Sequence, residues 1–137
     1  MSQPSAPTAI AVAVVLSAGS VLVGRRRDDA ADAPGRDEFP GGKVEAGEAV
    51  ELAAARECFE ESGIAVNVGR RLHVARATSS GGPIEIHFHR AAPVDANVSP
   101  QPPFIWLKIE DLTRCHFPPA NAEVIRLLLA VRGKSHP

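Results

Sequence analysis

Net charge is nearly absent from this sequence. Fifteen lysines and arginines stand against sixteen aspartates and glutamates, a formal balance of −1 with histidine neutral. A chain so balanced has no global basic field to draw it onto a nucleic-acid polymer or an anionic membrane, and neither is expected as a partner. Cysteine is equally scarce. Cys58 and Cys115 are the two present, and neither lies in a CxxC or zinc spacing. That excludes a disulfide framework and points to a reduced, cytoplasmic setting. Long hydrophobic runs are missing too. TAIAVAVVL, residues 8 to 16, is too short to span a bilayer. No basic residue precedes it, which argues against a secretory leader, and its valines fit a strand instead. There is no internal repeat.

What is present suffices for one domain. With 137 residues, 45% of them hydrophobic, the chain can close one substantial core and not a second. Residues 1–7, with two prolines, read as a disordered lead, and residues 8–137 as the domain. Thr8 to Leu16 suits a central strand, Ala18-Gly19-Ser20 a turn, and Val21 to Gly24 a second strand. A charged loop follows over 25–37, then a short extended piece at Glu38-Phe39. Strand composition returns at Ile64–Val68 and Arg70–Thr78. Ile84 to Arg90 alternates, with Ile84, Ile86 and Phe88 on one face and Glu85, His87 and His89 on the other, where solvent is expected. Phe104–Lys108 carries the only tryptophan, Trp106, expected in the core; Ile109–Leu112 suits a helical turn and Pro118–Val131 a last helix. Interleaved strands and helices in this order predict an α/β (α+β) fold, a mixed sheet between helical layers.

The stretch that organises the chain is FPGGKVEAGEAVELAAARECFEESGI, residues 39–64. Pro40, Gly41, Gly42 and Gly47 read as a tight glycine-rich turn, followed by a helix from about Ala49 to Ser62 with Gly63 closing it. At about 100° per residue, Glu57, Glu60 and Glu61 fall in one sector of that helix. Leu52, Ala55 and Phe59 gather opposite and are the expected docking face. Carboxylates crowded at this spacing repel one another unless a cation sits among them. Mg²⁺ is held by a few carboxylates together with substrate phosphate oxygens. The competing reading is a solvated acidic face.

Gly42, Glu48, Arg56, Glu57, Glu60, Glu61, Gly63 and Ile64 reproduce the spacing G-x5-E-x7-R-E-U-x-E-E-x-G-U, and here the sequence resembles the Nudix hydrolases. Cys58 stands at the first aliphatic position. The resemblance implies a Nudix-type α/β/α sandwich that hydrolyses a nucleoside diphosphate linked to another moiety, with Mg²⁺ or Mn²⁺ as cofactor. It assigns Glu57, Glu60 and Glu61 as metal ligands with the Gly41 carbonyl beside them, and Glu48 with Arg56 as the ion pair that orients them. EFPGGK, GRRR and HFPPAN resemble the MutT branch, which hydrolyses 8-oxo-dGTP to the monophosphate and pyrophosphate. That likeness implies Asn121 as the base-recognising amide, the Phe39 backbone opposite it, and Arg26 as a phosphate contact, with Arg25 or Arg27 in its place if the longer loop slips the register. Lys43 is a further candidate for a phosphate. Asn121 could instead cap the last helix.

Two positions depart from that branch. The loop before the last strand, ANVSPQPPF, has no acid, so water activation is expected to fall on a box carboxylate. An arginine of the base pocket is replaced by the Gly82-Pro83 region. The alternative substrates are therefore a pyrimidine dNTP, a dinucleoside polyphosphate or ADP-ribose, and a rival of another class is a non-catalytic nucleotide sensor. A nucleotide-sized partner and a monomer or homodimer are expected.

Overall fold

A computed structural model describes residues 6–25 and 36–134. The expected disordered lead falls largely outside the described residues, as does Arg26. In chain order come β1 (Thr8–Ser17), β2 (Ser20–Arg25), β3 (Asp37–Glu38), β4 (Gly41–Lys43), α1 (Val50–Ser62), β5 (Val66–Ser79), β6 (Gly82–Pro93), β7 (Phe104–Lys108) and α2 (Ala122–Lys134). Short 3-10 turns occupy Ile109–Arg114 and Pro119–Asn121.

β1 is the hub. It runs parallel to β6 from Thr8 opposite Ile84 to Val15 opposite Ala91, and antiparallel to β4 on its other side. Alternation sends Ala11, Ala13 and Val15 to one face and Val12 and Val14 to the other. The first set packs with Ala53, Ala54 and Cys58 of α1, the second with Val124 and Leu128 of α2. Both faces of the sheet are thus covered, the expected sandwich. Burial of each large side chain in these layers, such as Phe88 or Leu22, contributes about 1.5–3 kcal/mol.

β1 and β2 meet through a two-residue turn whose central residues, Ala18 and Gly19, have φ of 50° and 81°. Two left-handed residues give the hairpin turn whose twist matches the strands. The strands pair only beside that turn and then part. Residues 37–43 fill the wedge. Asp37 and Glu38 pair with β2, the Ala13 amide donates to the Pro40 carbonyl at 2.9 Å, and Gly41–Lys43 pair with Val12–Ile10.

Four expectations need correction. Gly41 and Gly42 form a strand, and of the four turn residues only Gly47 has a positive φ, 76°. They are glycine for close approach: a Cβ on Gly41 would lie 2.5 Å from the Ala11 carbonyl oxygen. Next, α1 does not dock through Leu52 and Phe59, which are 65% and 56% exposed. It docks through Ala53, Ala54, Cys58 and Ser62, because small residues let the helix sit low enough for its carboxylates to reach the glycine strand. The two segments read from Ile64 to Thr78 are one strand, bulged between Val68 and His73. His89, expected in solvent, is 7% exposed, with its Nδ1 3.0 Å from the Gly69 carbonyl, and His87 is half-buried beside Glu85. Trp106 packs against the α1-side core as expected. No helix among the described residues is long and apolar enough to cross a membrane.

Candidate active site

The end of α1 overhangs β4. Gly63, at φ 77°, stops the helix with its N–H on the Phe59 carbonyl. Nearer the middle of the helix, the Glu57 carboxylate lies where a Gly42 side chain would be: a Cβ there would stand 2.3 Å from Oε2. The Gly41 N–H donates to Glu61 Oε1 at 2.9 Å. The two glycines therefore hold two carboxylates, one by vacating space and one by a hydrogen bond.

Arg56 ties the remainder together. Its Nε and Nη2 donate to the two Glu48 oxygens at 2.8 and 3.0 Å, a two-point fork, and Nη2 also reaches the Lys43 carbonyl at 3.1 Å. Nη1 lies 3.4 Å from Glu57 Oε2 and from both Glu60 oxygens. Such forks fix direction as well as distance. The Arg56 guanidinium, helped by the Glu45 amide, holds the Glu48 carboxyl down to about 2. The same pairing raises the Arg56 pKa.

Glu61 is displaced the other way. Burial of its carboxylate raises the pKa, the Gly41 hydrogen bond opposes this, and the negative charges of Glu38, Glu57 and Glu60 add to it. The residue keeps an exposed flank, so the crowding acts at the carboxylate end. Negative charge here exceeds what Arg56 neutralises. No three His, Cys, Asp or Glu side chains among the described residues converge closely enough to hold a metal ion. Like charges keep apart, and Arg56 draws Glu57 and Glu60 toward itself. The donor set still suits a hard divalent cation, being all oxygen and under-neutralised.

Beside this cluster, on the α2 face of the sheet, opens a cavity of about 460 Å³. Val12, Ile86 and Phe88 give it an apolar floor, and Glu38, Thr78 and Asn121 supply polar groups. Phe39 lines it and stacks on Phe117 with ring centroids 4.7 Å apart. Asn121 donates one amide hydrogen to the Pro118 carbonyl at 3.1 Å. This fixes the amide plane and leaves Oδ1 and the second N–H without partners among the described residues. The side chain thus braces its own turn as a donor, where an N-cap would accept, and also presents donor and acceptor to the cavity. Buried Asp37 fastens the wall behind it, accepting from Arg25 Nε at 3.1 Å and the His116 N–H at 2.8 Å.

The NUDIX domain family model matches residues 7–128. The chain belongs to the Nudix family. A MutT-like protein of Streptomyces ambofaciens is 33% identical over 143 residues, covering 97% of this chain and 86% of that protein. The solution structure of the E. coli ORF135 protein superposes with a TM-score of 0.72 at 27% identity, over 93% of this chain and 92% of that one. The MutT protein of Methanosarcina mazei Go1 gives 0.74 at 20% identity, over 98% and 100%, a likeness that speaks for the fold alone. This chain is a Nudix hydrolase with MutT-like relatives, and Nudix hydrolases are generally divalent-metal dependent and act on small nucleotide substrates.

Within this Nudix fold, Gly41, Glu48, Arg56, Glu57, Glu60 and Glu61 come together along one flank of α1, while Phe39 and Asn121 line the adjoining cavity. Lys43 is exposed on β4, and its link to the cluster is its carbonyl. Gln101, in the acid-free loop, is occupied elsewhere: its N–H donates to the Ser62 carbonyl at 2.8 Å and its side chain packs over Gly63. Glu38 is the residue the sequence reading missed. It lines the cavity and its charge acts on Glu61, so it belongs to both halves of the site. No strand periodicity would have shown it, because Glu38 and its neighbour Phe39 both line the cavity and the strand ends between them.

Proposed function

We propose that this protein is a Mg²⁺-dependent nucleoside triphosphate pyrophosphohydrolase that cleaves 8-oxo-dGTP or related dNTPs to the monophosphate and pyrophosphate, clearing damaged nucleotides from the pool. The observation that carries the proposal is the continuity of two sites. The cavity holding Phe39 and Asn121 opens beside the carboxylates of α1, with Glu38 common to both. A purine in the cavity, met by the Phe39 backbone and the free Asn121 amide groups, directs its phosphates toward the carboxylates.

Glu57, Glu60 and Glu61, with the Gly41 carbonyl, would hold the divalent ion. Such an ion, when bound, offsets charge on the phosphate oxygens and the leaving group. Arg56 keeps Glu57 and Glu60 oriented, and Glu48 keeps Arg56 in place. The ionised fork survives through the physiological range because Glu48 stays charged down to about 2. With no acid in the preceding loop and Gln101 engaged at Gly63, a box carboxylate takes the proton from the attacking water.

A second reading shares the chemistry and changes the base. Among the described residues no lysine or arginine lines the cavity, which favours another nucleoside triphosphate, a pyrimidine dNTP among them. Hydrolysis of a nucleotide panel with and without Mg²⁺, with product identification, separates the two. The expected outcome is Mg²⁺-dependent pyrophosphate release with 8-oxo-dGTP preferred over dGTP and dCTP. Absence of that preference refutes the first reading, and turnover surviving Glu57→Gln refutes the assignment of the site.

A further inference from the structure

A second hollow, of about 280 Å³, lies on the same face of the sheet at the other end of α2. Leu16, Leu72, Ile109, Leu127, Leu128 and Val131 give it an apolar lining, and the β1–β2 turn forms one edge. Two arginines, Arg70 and Arg90, line it as well, and among the described residues no acidic side chain does. Both are exposed, and neither has a hydrogen-bond or ion-pair partner among the described residues.

The arginines reach this face through an irregularity in β5. Val66 and Val68 pack into the α1-side core. Unbroken alternation would send Arg70 and Leu72 to that face as well. The register shifts after Val68 reverse the parity, so that Leu72 joins the α2-side core and Arg70 comes beside Arg90 in the hollow. Bulges of this kind re-aim side chains. Here the bulge sets two uncompensated guanidinium groups along one apolar depression.

We propose that this hollow is a binding site for a small amphiphilic carboxylate, with its apolar chain against Leu72, Leu127 and Val131 and its carboxylate on Arg70 and Arg90. Guanidinium groups match a carboxylate in two-point geometry, and an anion relieves their mutual repulsion. At about 30 Å³ per water-sized group, the volume takes roughly nine, the size of a medium-chain fatty acid. The site does not depend on the nucleotide reading, since α2 lies between the hollow and the Asn121 cavity.

Octanoate is the probe, titrated into the full chain and followed by calorimetry and by backbone amide shifts. One octanoate per chain is expected to bind saturably, shifting the amides of Gly19, Leu72, Arg90 and Val131 and leaving those of Phe39 and Asn121 unmoved. Octanol, with the same chain and no charge, is expected to bind at least tenfold more weakly. The double variant Arg70→Gln/Arg90→Gln is expected to weaken octanoate at least tenfold while leaving the octanol affinity unchanged. Val131→Asp, at a position 64% exposed, is expected to weaken octanoate comparably without unfolding the chain. Equal binding of octanoate and octanol, shifts confined to the Asn121 cavity, or no saturable binding overturns the proposal. So does a concentration-dependent dimer in sedimentation that covers Val131 and shuts octanoate out. The amide shifts of the unmodified chain decide the matter even if an arginine variant fails to fold.

Discussion

Replacing Gly42 by alanine tests the central contact with one methyl group. A Cβ there would lie 2.3 Å from Glu57 Oε2, 2.4 Å from Cδ and 2.8 Å from Oε1. Ordinary contact lies near 3.5 Å or beyond, so the carboxylate must retreat by about 1 Å. Gly42 is in a strand and lacks the positive φ that would strain an alanine. The obstacle is the far end of a flexible side chain, whose off-rotamer cost is about 0.5–1.5 kcal/mol. Against that, the lost freedom of glycine in the unfolded chain returns about 0.4–1 kcal/mol. Net stability should hardly change. Activity should, because a displacement near 1 Å at a positioned group costs on the order of 100-fold in rate. The assay pairs pyrophosphate release from saturating dNTP with thermal unfolding. Gly47→Ala is the comparator, with φ 76° and nothing within 4 Å of its Cβ: left-handed strain should cost about 1–2 kcal/mol with turnover kept. If Gly42→Ala retains kcat within threefold at full Glu57 occupancy of its new position, Glu57 need not sit where the fold puts it and the reasoning fails.

Asp37→Ala should destabilise by about 1.5–3 kcal/mol in urea denaturation, since it removes a buried carboxylate that accepts from the Arg25 guanidinium and the His116 N–H. The pH dependence of Glu48 has a definite sign. Its folded pKa, about 2, lies below the ordinary carboxylate value of 4.5, so its contribution is complete above 4.5 and disappears as pH falls through 2. The stability gap between wild type and Glu48→Gln should thus stay constant from pH 7 to 5 and close between 4.5 and 2, as followed by acid-dependent chemical denaturation. Glu61 works in reverse. Its raised pKa means that folding penalises the charged form, and the penalty appears as pH rises through the ordinary carboxylate range. Glu61→Gln should melt higher than wild type in chelator at pH 7, and Mg²⁺ should raise the wild-type Tm more than that of the variant.

The parts of the site that were legible in sequence are those held within one helix. The spacing from Arg56 to Glu61 is local, and a helix carries it into space unchanged. Legibility failed where identity depends on what packs opposite. Leu52 and Phe59 looked like a core face because large apolar residues usually are, yet α1 rests on Ala53 and Ala54 so that Glu57 and Glu61 can approach β4. Gly41 and Gly42 carried the composition of a turn, and only the neighbouring Ala11 carbonyl and Glu57 carboxylate explain their lack of side chains. The alternation of β6 was correct in period. What it could not tell was that both faces of a sheet sandwiched between helices are covered, which puts His89 inside. The bulge in β5 left no trace in composition.

Residues 37–43 have a consequence for how such a molecule can change. This one span contributes Asp37 to the rear wall, Glu38 and Phe39 to the cavity, and Gly41 and Gly42 to the carboxylates, and it is paired to two strands at once. Adding a single residue within β4 would turn the side chains beyond it to the opposite face, and adding one between β3 and β4 would change the spacing between the cavity lining and the carboxylate supports. The span acts as a ruler that sets the distance between the cavity and the carboxylates. A different occupant of the cavity would have to be met by reshaping its rim, at Thr78 or Pro118–Asn121, while the distance from the cavity to the carboxylates stays fixed.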